Sequence, residues 1–337
     1  MASCDSLIYD GEGDCDPRYK VRFVYDMNMK YADAFPNEVK DVTLYVIDEQ
    51  SGRVVLEKRE SGEALSRDGY MMDIDVAPGD YTLLAWCGEG HRTSFAVSPS
   101  DIREELRCSL ASRGEHTPGP WASDGSRVSD CLDNLYHGKL EAQNFPPTQG
   151  THIFKVPLVK NTNDIHIVLQ HLSGEPVDKD AFTFTITDEN GLMDWDNSLL
   201  PDEPLTYFAW HTEAGIAGVE VPDYTEPEEP AASGRALTQV SAAVAEISVG
   251  RLVRRGKDSG QPYVRIYNAE GETVVSLPLI DYCLLVKGYH NREMSDQEFL
   301  DRQDDYSMVF FLDEDNRWVK SHIYINSWKI VLQETEL

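Results

Sequence analysis

The stretch VKDVTLYVIDEQSGRVVLEK, residues 39–58, gives the clearest indication of the fold class. It contains two runs in which apolar and polar side chains alternate, residues 39–47 and 53–58, and a break with Asp48 and Gly52 separates them. Alternation with a period of two residues, rich in Val, Ile and Tyr, indicates β-strands. The stretch therefore predicts two strands joined by a turn.

The same alternation recurs along most of the chain, between turns rich in Gly, Pro and Asp. The predicted strands of the first half are residues 21–25, 39–47, 53–58, 72–76, 81–86, 93–97 and 153–159. Those of the second half are residues 165–169, 182–187, 206–210, 242–253, 263–267, 273–277, 306–312, 318–325 and 328–333. Many short strands with frequent turns are typical of antiparallel β-sandwiches. A capping box formed by Ser295 and Glu298 predicts one short helix near the C-terminus.

A chain of 337 residues is long enough for two domains. The segment 159–164 separates two alternating runs near the middle of the chain, so we predict the boundary between residues 160 and 161. The predicted organisation is all-β, with a short N-terminal segment (residues 1–18) and two β-sandwich domains (residues 19–160 and 161–337). Residues 98–147, where the alternation weakens, form a long excursion within the first domain.

The charge balance restricts the class of partner. The chain has 30 Lys and Arg residues against 59 Asp and Glu residues, a net charge of −29. Such an excess repels phosphate backbones and anionic lipid surfaces. The most apolar run, residues 277–286, is short and is interrupted by Pro278 and Asp281. The sequence therefore predicts no nucleic-acid partner and no membrane-spanning helix.

The sequence contains no recognised catalytic motif. It lacks Gly-x-Ser-x-Gly, Ser-x-x-Lys, His-Glu-x-x-His and Gly-x-x-x-x-Gly-Lys-Ser/Thr, which leaves an unrecognised carboxylate pair as the enzymatic alternative. Its nine histidines lack the spacing of a zinc site. The acidic run at Asp194 starts like an EF-hand, but Leu199 and Leu205 occupy the positions that require Gly and Glu. We expect no catalytic residue, no metal and no cofactor.

Six cysteines are too few for a disulfide framework in a chain of this length. Cys87 and Cys283 lie in apolar stretches and are predicted to be buried thiols. A bridge between Cys108 and Cys131 and two unpaired thiols are both compatible with the sequence.

Cys4 stands immediately after Met1-Ala2-Ser3. Small residues directly before a cysteine are what remains of a bacterial lipoprotein cleavage box once its apolar stretch is absent. On these four residues alone, a chance cysteine near the N-terminus is the alternative interpretation.

Four aromatic residues, Trp195, Tyr207, Phe208 and Trp210, lie close together in the sequence. Aromatic side chains serve either as stacking platforms for sugars or as packing in cores and interfaces. The first use predicts a surface glycan-binding or adhesin lipoprotein, with Trp195, Tyr207 and Trp210 as its platform. The sequence is compatible with both uses.

Longer stretches at both ends of the chain carry a family resemblance. At the N-terminal end they are CDSLIYD (4–10), Cys15 with Asp16-Pro17, VRFVYDMNMKYADAF (21–35) and VKDVTLYVIDEQSG (39–52). At the C-terminal end they are MSDQEFLDRQDDYSMVFFLDEDNRW (294–318) and IYINSWKIVLQETEL (323–337). In combination they resemble the FimB/Mfa-type fimbrial anchor family, the minor fimbrillin-associated lipoproteins of type V pili. The resemblance is weakest over residues 98–150 and 190–260.

The resemblance implies a lipoprotein that is acylated at Cys4 and held in the outer membrane, at the cell surface and at the base of the fimbrium. It implies two transthyretin-like β-sandwich domains in tandem, with major or minor pilin subunits as partners, and a monomer in isolation. The implied role is to tether the fibre and limit its length. Acyl chains would also supply the membrane binding that an acidic body lacks.

The resemblance also implies how pilin is captured. Shaft pilins of this type assemble by strand exchange after proteolytic removal of an N-terminal strand, and an anchor is expected to keep that strand. Here residues 21–25 would be the retained strand, and Arg18 precedes it. Pilin would then pair with an open sheet edge, either in the N-terminal domain or at the C-terminal strand that contains Trp328, Ile330 and Leu332.

Overall fold

The computed structural model of the protein describes residues 16–88, 94–115, 125–219, 238–256, 260–288, 291–319, 322–326 and 328–331. Strands dominate these ranges, and the helices within them are few and short. The predicted all-β fold class is therefore confirmed.

Strands follow one another through both halves of the chain. The strands of the first half are β1 (Pro17–Val24), β2 (Asp41–Asp48), β3 (Val54–Ser61), β4 (Met72–Ile74), β5 (Gly79–Cys87), β6 (Phe95–Val97), β7 (Cys108–Leu110), β8 (Ser126–Val128), β9 (Tyr136–Phe145) and β10 (Gly150–Lys160). Those of the second half are β11 (Thr162–His171), β12 (Phe182–Asp188), β13 (Leu192–Met193), β14 (Leu205–Phe208), β15 (His211–Val219), β16 (Thr238–Gly250), β17 (Tyr263–Asn268), β18 (Thr273–Pro278), β19 (Asp305–Leu312), β20 (His322–Ile325) and β21 (Trp328–Val331). The helices are α1 (Phe35–Glu38), α2 (Leu279–Leu285) and α3 (Asp296–Arg302).

Seven strands of the first half form one sheet, the N-terminal sheet, in the order β3-β2-β5-β9-β10-β1-β4. The sheet folds over at β10, because residues 150–157 pair in parallel with β1 whereas residues 158–160 pair with β9. Side chains of the two resulting layers form one core. Gly138 of β9 lies at the fold, where a Cβ atom would come within 2.5 Å of Leu158 Cδ2 and 2.7 Å of Val156 Cγ1. Only glycine allows the two strands to approach this closely.

β1 lies inside the N-terminal sheet, between β10 and β4. Every second side chain points into the core, and Tyr19, Val21 and Phe23 are at most 2% exposed. The pleat of the strand is thus the physical origin of the alternation at its sequence positions. Burial of three side chains of this size contributes roughly 5–9 kcal/mol of hydrophobic free energy.

The central strands β2 and β5 are buried on both faces. Leu44 and Leu83 belong to the core of the N-terminal sheet, whereas Ile47 and Trp86 belong to a second core on the opposite side. This second core also contains side chains of the three-stranded sheet β13-β7-β6 and of the second half of the chain. Burial on both faces explains why these strands contain uninterrupted apolar residues rather than strict alternation.

Two further sheets are built mostly from the second half of the chain. The six-stranded sheet has the order β15-β16-β11-β19-β20-β21, and the five-stranded sheet has the order β18-β17-β12-β14-β8. Ile167 and Met308 of the first sheet and Phe184 of the second belong to the same core. Helices α2 and α3 add Cys283 and Phe299 to it.

Backbone and side-chain hydrogen bonds connect the two halves of the chain. β13 pairs with β7, and β14 pairs in parallel with β8. The Arg113 guanidinium donates to both carboxylate oxygens of Asp202, at 2.6 and 3.1 Å, and to the Gly191 carbonyl oxygen at 2.9 Å. Strands β7 and β8, from the long excursion, thus bind the second half. The domain boundary after residue 160 stays a prediction.

The predicted capping box begins α3. The Ser295 hydroxyl accepts a hydrogen bond from the Glu298 backbone N–H at 3.0 Å, and Phe299 is 1% exposed. The sequence did not predict α2, which starts at Leu279 directly after the N-cap residue Pro278. Within the described ranges, no helix has the length and apolar character needed to span a membrane.

The cysteines differ in their surroundings. Cys87 and Cys283 are buried, as predicted, and burial raises the pKa of the Cys283 thiol. Cys108 is buried in the second core, whereas Cys131 is exposed and carries a free thiol. The bridge between Cys108 and Cys131 is therefore not formed.

Candidate functional site at the C-terminal sheet edge

Strands β19, β20 and β21 form a meander at the C-terminal end of the described chain. β20 pairs with β19 on one side and with β21 on the other, so β21 lies at one edge of the six-stranded sheet and β15 lies at the opposite edge. Among the described residues, no strand pairs with the outer side of β21. Such an edge presents backbone N–H and C=O groups to which an extended partner can add.

Two of the three predicted contact residues lie in β21. Trp328 is the register partner of Ile325, and Ile330 is the register partner of Ile323. Leu332 lies outside the described residues. The fold thus brings the backbone of two predicted residues to the sheet edge.

Asn326 fixes the turn between β20 and β21 to the neighbouring strand β19. Its backbone N–H donates to the Ser307 carbonyl oxygen at 2.9 Å, and the Ser307 N–H donates to Asn326 Oδ1 at 2.7 Å. Asn326 has a φ of 46°, in the left-handed region that Asn tolerates better than most residues. Ile323 and Ile325 of β20 are fully buried. β21 therefore pairs with a strand, β20, that is itself buried and hydrogen-bonded in the sheet.

The edges of the N-terminal sheet are tied to each other instead. The Lys58 ammonium group of β3 donates to the Asp73 carbonyl oxygen of β4 at 2.9 Å. The Tyr70 hydroxyl donates to Glu60 Oε2 of β3 at 2.6 Å, and burial raises the pKa of Tyr70, so the hydroxyl keeps its proton. The four consecutive charged residues 57–60 of β3 further disfavour addition of a strand.

The strand predicted to be retained in an anchor, residues 21–25, overlaps the second half of β1, which ends at Val24. Its eight residues pair with residues 150–157 of β10, and the following residue, Tyr25, is 1% exposed. Arg18 lies inside the ladder, as the register partner of Thr151. The predicted lipidation residue Cys4 lies outside the described residues, upstream of Asp16.

The three aromatic residues considered as a glycan platform have different environments. Tyr207 is fully buried, and its hydroxyl donates to Asn190 Oδ1 at 2.6 Å. The Arg103 guanidinium carbon and the Lys139 ammonium nitrogen both lie over the Trp195 ring, 4.7 and 5.0 Å from its centroid. Trp210 is 40% exposed. A platform of all three residues is therefore wrong, because a buried tyrosine cannot stack on a sugar.

The backbone of Trp195 also joins the two halves of the chain. His137 of β9 bonds to the Trp195 carbonyl oxygen through Nε2, at 2.9 Å. Burial lowers the pKa of His137 to about 3, so the imidazole is neutral at physiological pH. Because a carbonyl oxygen only accepts, Nε2 carries the proton that it donates. Sequence reasoning missed this contact, since His137 and Trp195 are remote along the chain.

In the acidic run that begins at Asp194, Asn197 makes hydrogen bonds to other parts of the protein. The side-chain amides of Asn197 and Asn161 form a reciprocal pair, at 2.7 and 3.1 Å, and the Asn197 carbonyl oxygen accepts from Arg251. Asn161 is fully buried although it belongs to the segment interpreted as a domain boundary. In the part of the chain that the structure describes, no group of three or more His, Cys, Asp or Glu side chains is arranged to hold a metal ion.

Known proteins share this fold. A candidate adhesin from Bacteroides thetaiotaomicron is 33% identical and superposes with a TM-score of 0.78. The match covers 96% of this chain and 100% of the adhesin chain. A candidate polysaccharide-binding protein from the same organism is 26% identical, with 95% and 99% covered and a TM-score of 0.74. The fimbrial anchor protein Mfa2 from Porphyromonas gingivalis is 15% identical, with 95% and 100% covered and a TM-score of 0.62. No curated protein matches the chain.

The family model of the fimbrillin-A associated anchor proteins Mfa1 and Mfa2 matches residues 12–334. The match covers both halves of the chain, including β1 and β21, and the family resemblance predicted from the two ends of the sequence is confirmed. The family is one of structural, pilus-associated proteins of the cell surface and not of enzymes. This protein belongs to the family of fimbrillin-A associated anchor proteins Mfa1 and Mfa2.

Proposed function

We propose that this protein is a non-enzymatic lipoprotein that anchors a type V pilus in the outer membrane, limits fibre length and captures pilin by strand pairing at β21. The observation that carries the proposal is the contrast between the sheet edges. The Lys58 hydrogen bond ties β3 to β4 and the Tyr70 hydrogen bond ties β3 to the segment just before β4, whereas β21 has an open outer side among the described residues. An extended pilin segment would add there as a further antiparallel or parallel strand.

The position of β1 supports the anchor role. A pilin that loses its N-terminal strand opens a groove for the next subunit, whereas here β1 fills its place with Tyr19, Val21 and Phe23 in the core. Cleavage after Arg18 would require the ladder with β10 to open, because Arg18 is already paired. A chain that keeps β1 also stays joined to its acylated N-terminus at Cys4.

Lipid attachment would complement the charge of the protein. A body with a net charge of −29 is repelled by anionic membrane surfaces, so membrane binding has to come from another source. One acyl chain gives only marginal binding, and more than one gives stable attachment. Acylation at Cys4, upstream of β1, therefore supplies the membrane affinity that the surface lacks.

Deletion of residues 328–337 tests pilin capture. We expect the truncated protein to lose binding to cognate pilin in a pull-down, while near-ultraviolet circular dichroism and thermal unfolding report a folded N-terminal sheet. The matched control is Val55→Glu on β3, because Val55 is a large apolar side chain 51% exposed at the other candidate edge. Unchanged capture by the deletion, with loss of capture in Val55→Glu, would move the contact to the N-terminal sheet.

Replacement of Cys4 tests the anchor itself. The precursor with wild-type Cys4 or Cys4→Ala is expressed in its own host, and acyl labelling, membrane fractionation and fibre release are followed together. We expect the variant to lose the label and to shed fibres into the medium. A labelled wild-type protein whose Cys4→Ala variant still retains its fibres would contradict the anchor role.

Glycan binding is the second candidate function. It is favoured by the 26% identical neighbour described as a candidate polysaccharide-binding protein, and by Trp210, whose side chain is 40% exposed and whose ring lies 5.6 Å from that of His211. A glycan array with the wild type and Trp210→Ala tests it. Binding that disappears in Trp210→Ala while fibre retention is unchanged would support an adhesin function instead.

A further inference from the structure

The geometry of β1 and β10 determines how the protein responds to pulling. The two strands are parallel and in register over eight pairs, from Pro17 opposite Gly150 to Val24 opposite Pro157. The chain upstream of β1 therefore joins the ladder at its Gly150 end. In a parallel pair the backbone hydrogen bonds are evenly spaced along the strands.

The connection to the second half leaves the same ladder at its other end. β10 ends at Lys160, and a single residue, Asn161, separates it from β11. β10 and β11 are not neighbours in any sheet, so the chain does not fold back along β10 as a hairpin. Force on the second half is thus delivered to β10 from its Lys160 end.

We propose that β1 and β10 form a mechanical clamp that holds the N-terminal sheet together while the fibre is pulled. The inference rests on the proposed function only in that the load enters through the N-terminus and leaves through the second half. Under this load β1 and β10 are drawn in opposite directions along their common axis. All eight pairs then share the force, whereas a ladder pulled apart from one end loses its pairs one at a time.

Side chains reinforce the ladder at the end where the load enters. The Tyr19 hydroxyl donates to the Pro146 carbonyl oxygen at 2.8 Å, and the Tyr19 ring lies 4.8 Å from that of Phe145. The rings of Phe145 and Phe154 stack at 4.0 Å between centroids. Sliding of β1 by one residue would also turn its buried side chains to the opposite face.

The far end of β1 is held to the second half as well. The Arg302 guanidinium of α3 donates to the carbonyl oxygen of Asp26 at 3.1 Å. The Tyr25 backbone N–H donates to Asp33 Oδ1 at 3.1 Å, and Arg22 pairs with Asp33 at 3.3 Å. These contacts resist withdrawal of β1 toward the N-terminus.

Single-molecule force spectroscopy on the full chain tests the clamp without altering the ladder. One handle is attached to an N-terminal tag and the second to a cysteine introduced at one of two exposed positions, in a background with serine at Cys4, Cys15 and Cys131. Ser173→Cys, after β11, loads the ladder from opposite ends, and Thr148→Cys, before β10, loads it from one end. We expect a rupture force at least about twofold higher for the Ser173 handle, because many hydrogen bonds then resist together. Equal forces in the two geometries would overturn the proposal.

A reversible cross-link identifies the strands responsible. Arg22 and Lys155 are register partners, and parallel partners lie within the roughly 4.4–6.8 Å between Cα atoms that a disulfide spans. In the variant Arg22→Cys/Lys155→Cys with the Ser173 handle, we expect the first rupture to disappear under oxidising conditions and to return on reduction. A first rupture that persists in the oxidised protein would place the clamp elsewhere and contradict the inference.

These results are independent of the anchor role. Failure of the clamp would leave acyl labelling and fibre retention by wild-type Cys4 unaffected. Conversely, an unlabelled Cys4 would leave the two rupture forces unchanged, because the purified chain is pulled through its tag and not through a lipid.

Discussion

The N-terminal sheet and the six-stranded sheet treat their edges in opposite ways. In the N-terminal sheet, the Lys58 hydrogen bond joins the two edge strands, the Tyr70 hydrogen bond joins β3 to the segment just before β4, and β1 lies in the interior. In the six-stranded sheet, Asn326 holds the last turn against β19 while β21 stays at an edge. In the first half of the chain the edge strands thus bond to each other. In the second half, β21 remains at an edge where a partner strand could pair with it.

Hydrogen exchange measures this contrast directly. We expect the amides of β1 to exchange at least about a thousandfold more slowly than the outward amides of β21, because core strands open only with global unfolding and edge groups contact solvent. Mass spectrometry of peptides that cover residues 17–24 and 328–331 measures both. Comparable protection in the two peptides would show that β21 is covered in the free protein.

Phe23→Ala would disrupt the closed N-terminal sheet. Phe23 is 2% exposed and its ring stacks on that of Phe35 at 5.6 Å, so truncation leaves a cavity between the layers. We expect the free energy of unfolding to fall by about 4 kcal/mol in a denaturant titration. Val55→Ala, at an exposed position of β3, is the control and should change it by less than about 0.5 kcal/mol. A similar small change in Phe23→Ala would mean that β1 contributes little to the sheet.

The contact between the two regions is expected to depend on pH. The pKa of His137 is about 3 in the folded protein, below its ordinary value of 6.5, because the imidazole is buried. Between these values the unfolded chain binds a proton at this position and the folded chain does not. The free energy of unfolding should therefore decline as the pH falls from 6.5 toward 3, by roughly 5 kcal/mol from this group.

The variant His137→Gln isolates that contribution. A glutamine keeps a donor for the Trp195 carbonyl oxygen and does not titrate, so the variant should show a shallower loss of stability between pH 6.5 and about 4. Parallel curves for the two proteins would show that other groups dominate acid unfolding.

Tyr70→Phe is the mildest test of the tied edges. It removes the hydroxyl that donates to Glu60 and leaves the ring, which stacks on Phe35 at 6.1 Å. We expect a loss of about 1 kcal/mol in the free energy of unfolding. Hydrogen exchange in residues 54–61 should increase at the same time, and unchanged exchange there would indicate that Lys58 alone holds the edge.

Local pattern was sufficient for most strands of the fold. Runs such as residues 21–25 and 165–169 alternate because one face of each strand is buried, and that information lies within a few residues. β9 was missed because its sequence, YHGKLEAQNF, is mostly polar, and Gly138 is required by the close approach of β10 and not by its own neighbours. β15 was missed because Ala and Gly give little strand signal.

The candidate site was less predictable than the fold. The sequence indicated that the C-terminal strand could be offered to a partner, but whether β21 lies at an edge depends on the order β11-β19-β20-β21, which is set by contacts between distant residues. The tie between Tyr70 and Glu60 likewise depends on how the sheet folds over at β10. The burial of Asn161 arises only when the loop that contains Asn197 packs against it.

Because of the hydrogen bonds between Asn326 and Ser307, the residues that hold the sheet together differ from the residues that a partner of β21 would contact. Selection for folding and selection for partner recognition then act on different residues. The register of β21 is set by a turn whose bonds involve the backbone and one asparagine side chain, before the strand begins. If β21 captures pilin as proposed, substitutions beyond that turn would change which partner is recognised without disturbing the folding of the sheet. Under the proposed function, the anchor could follow sequence changes in its pilin through β21 alone, and β21 could be exchanged between relatives without changes in the rest of the sheet.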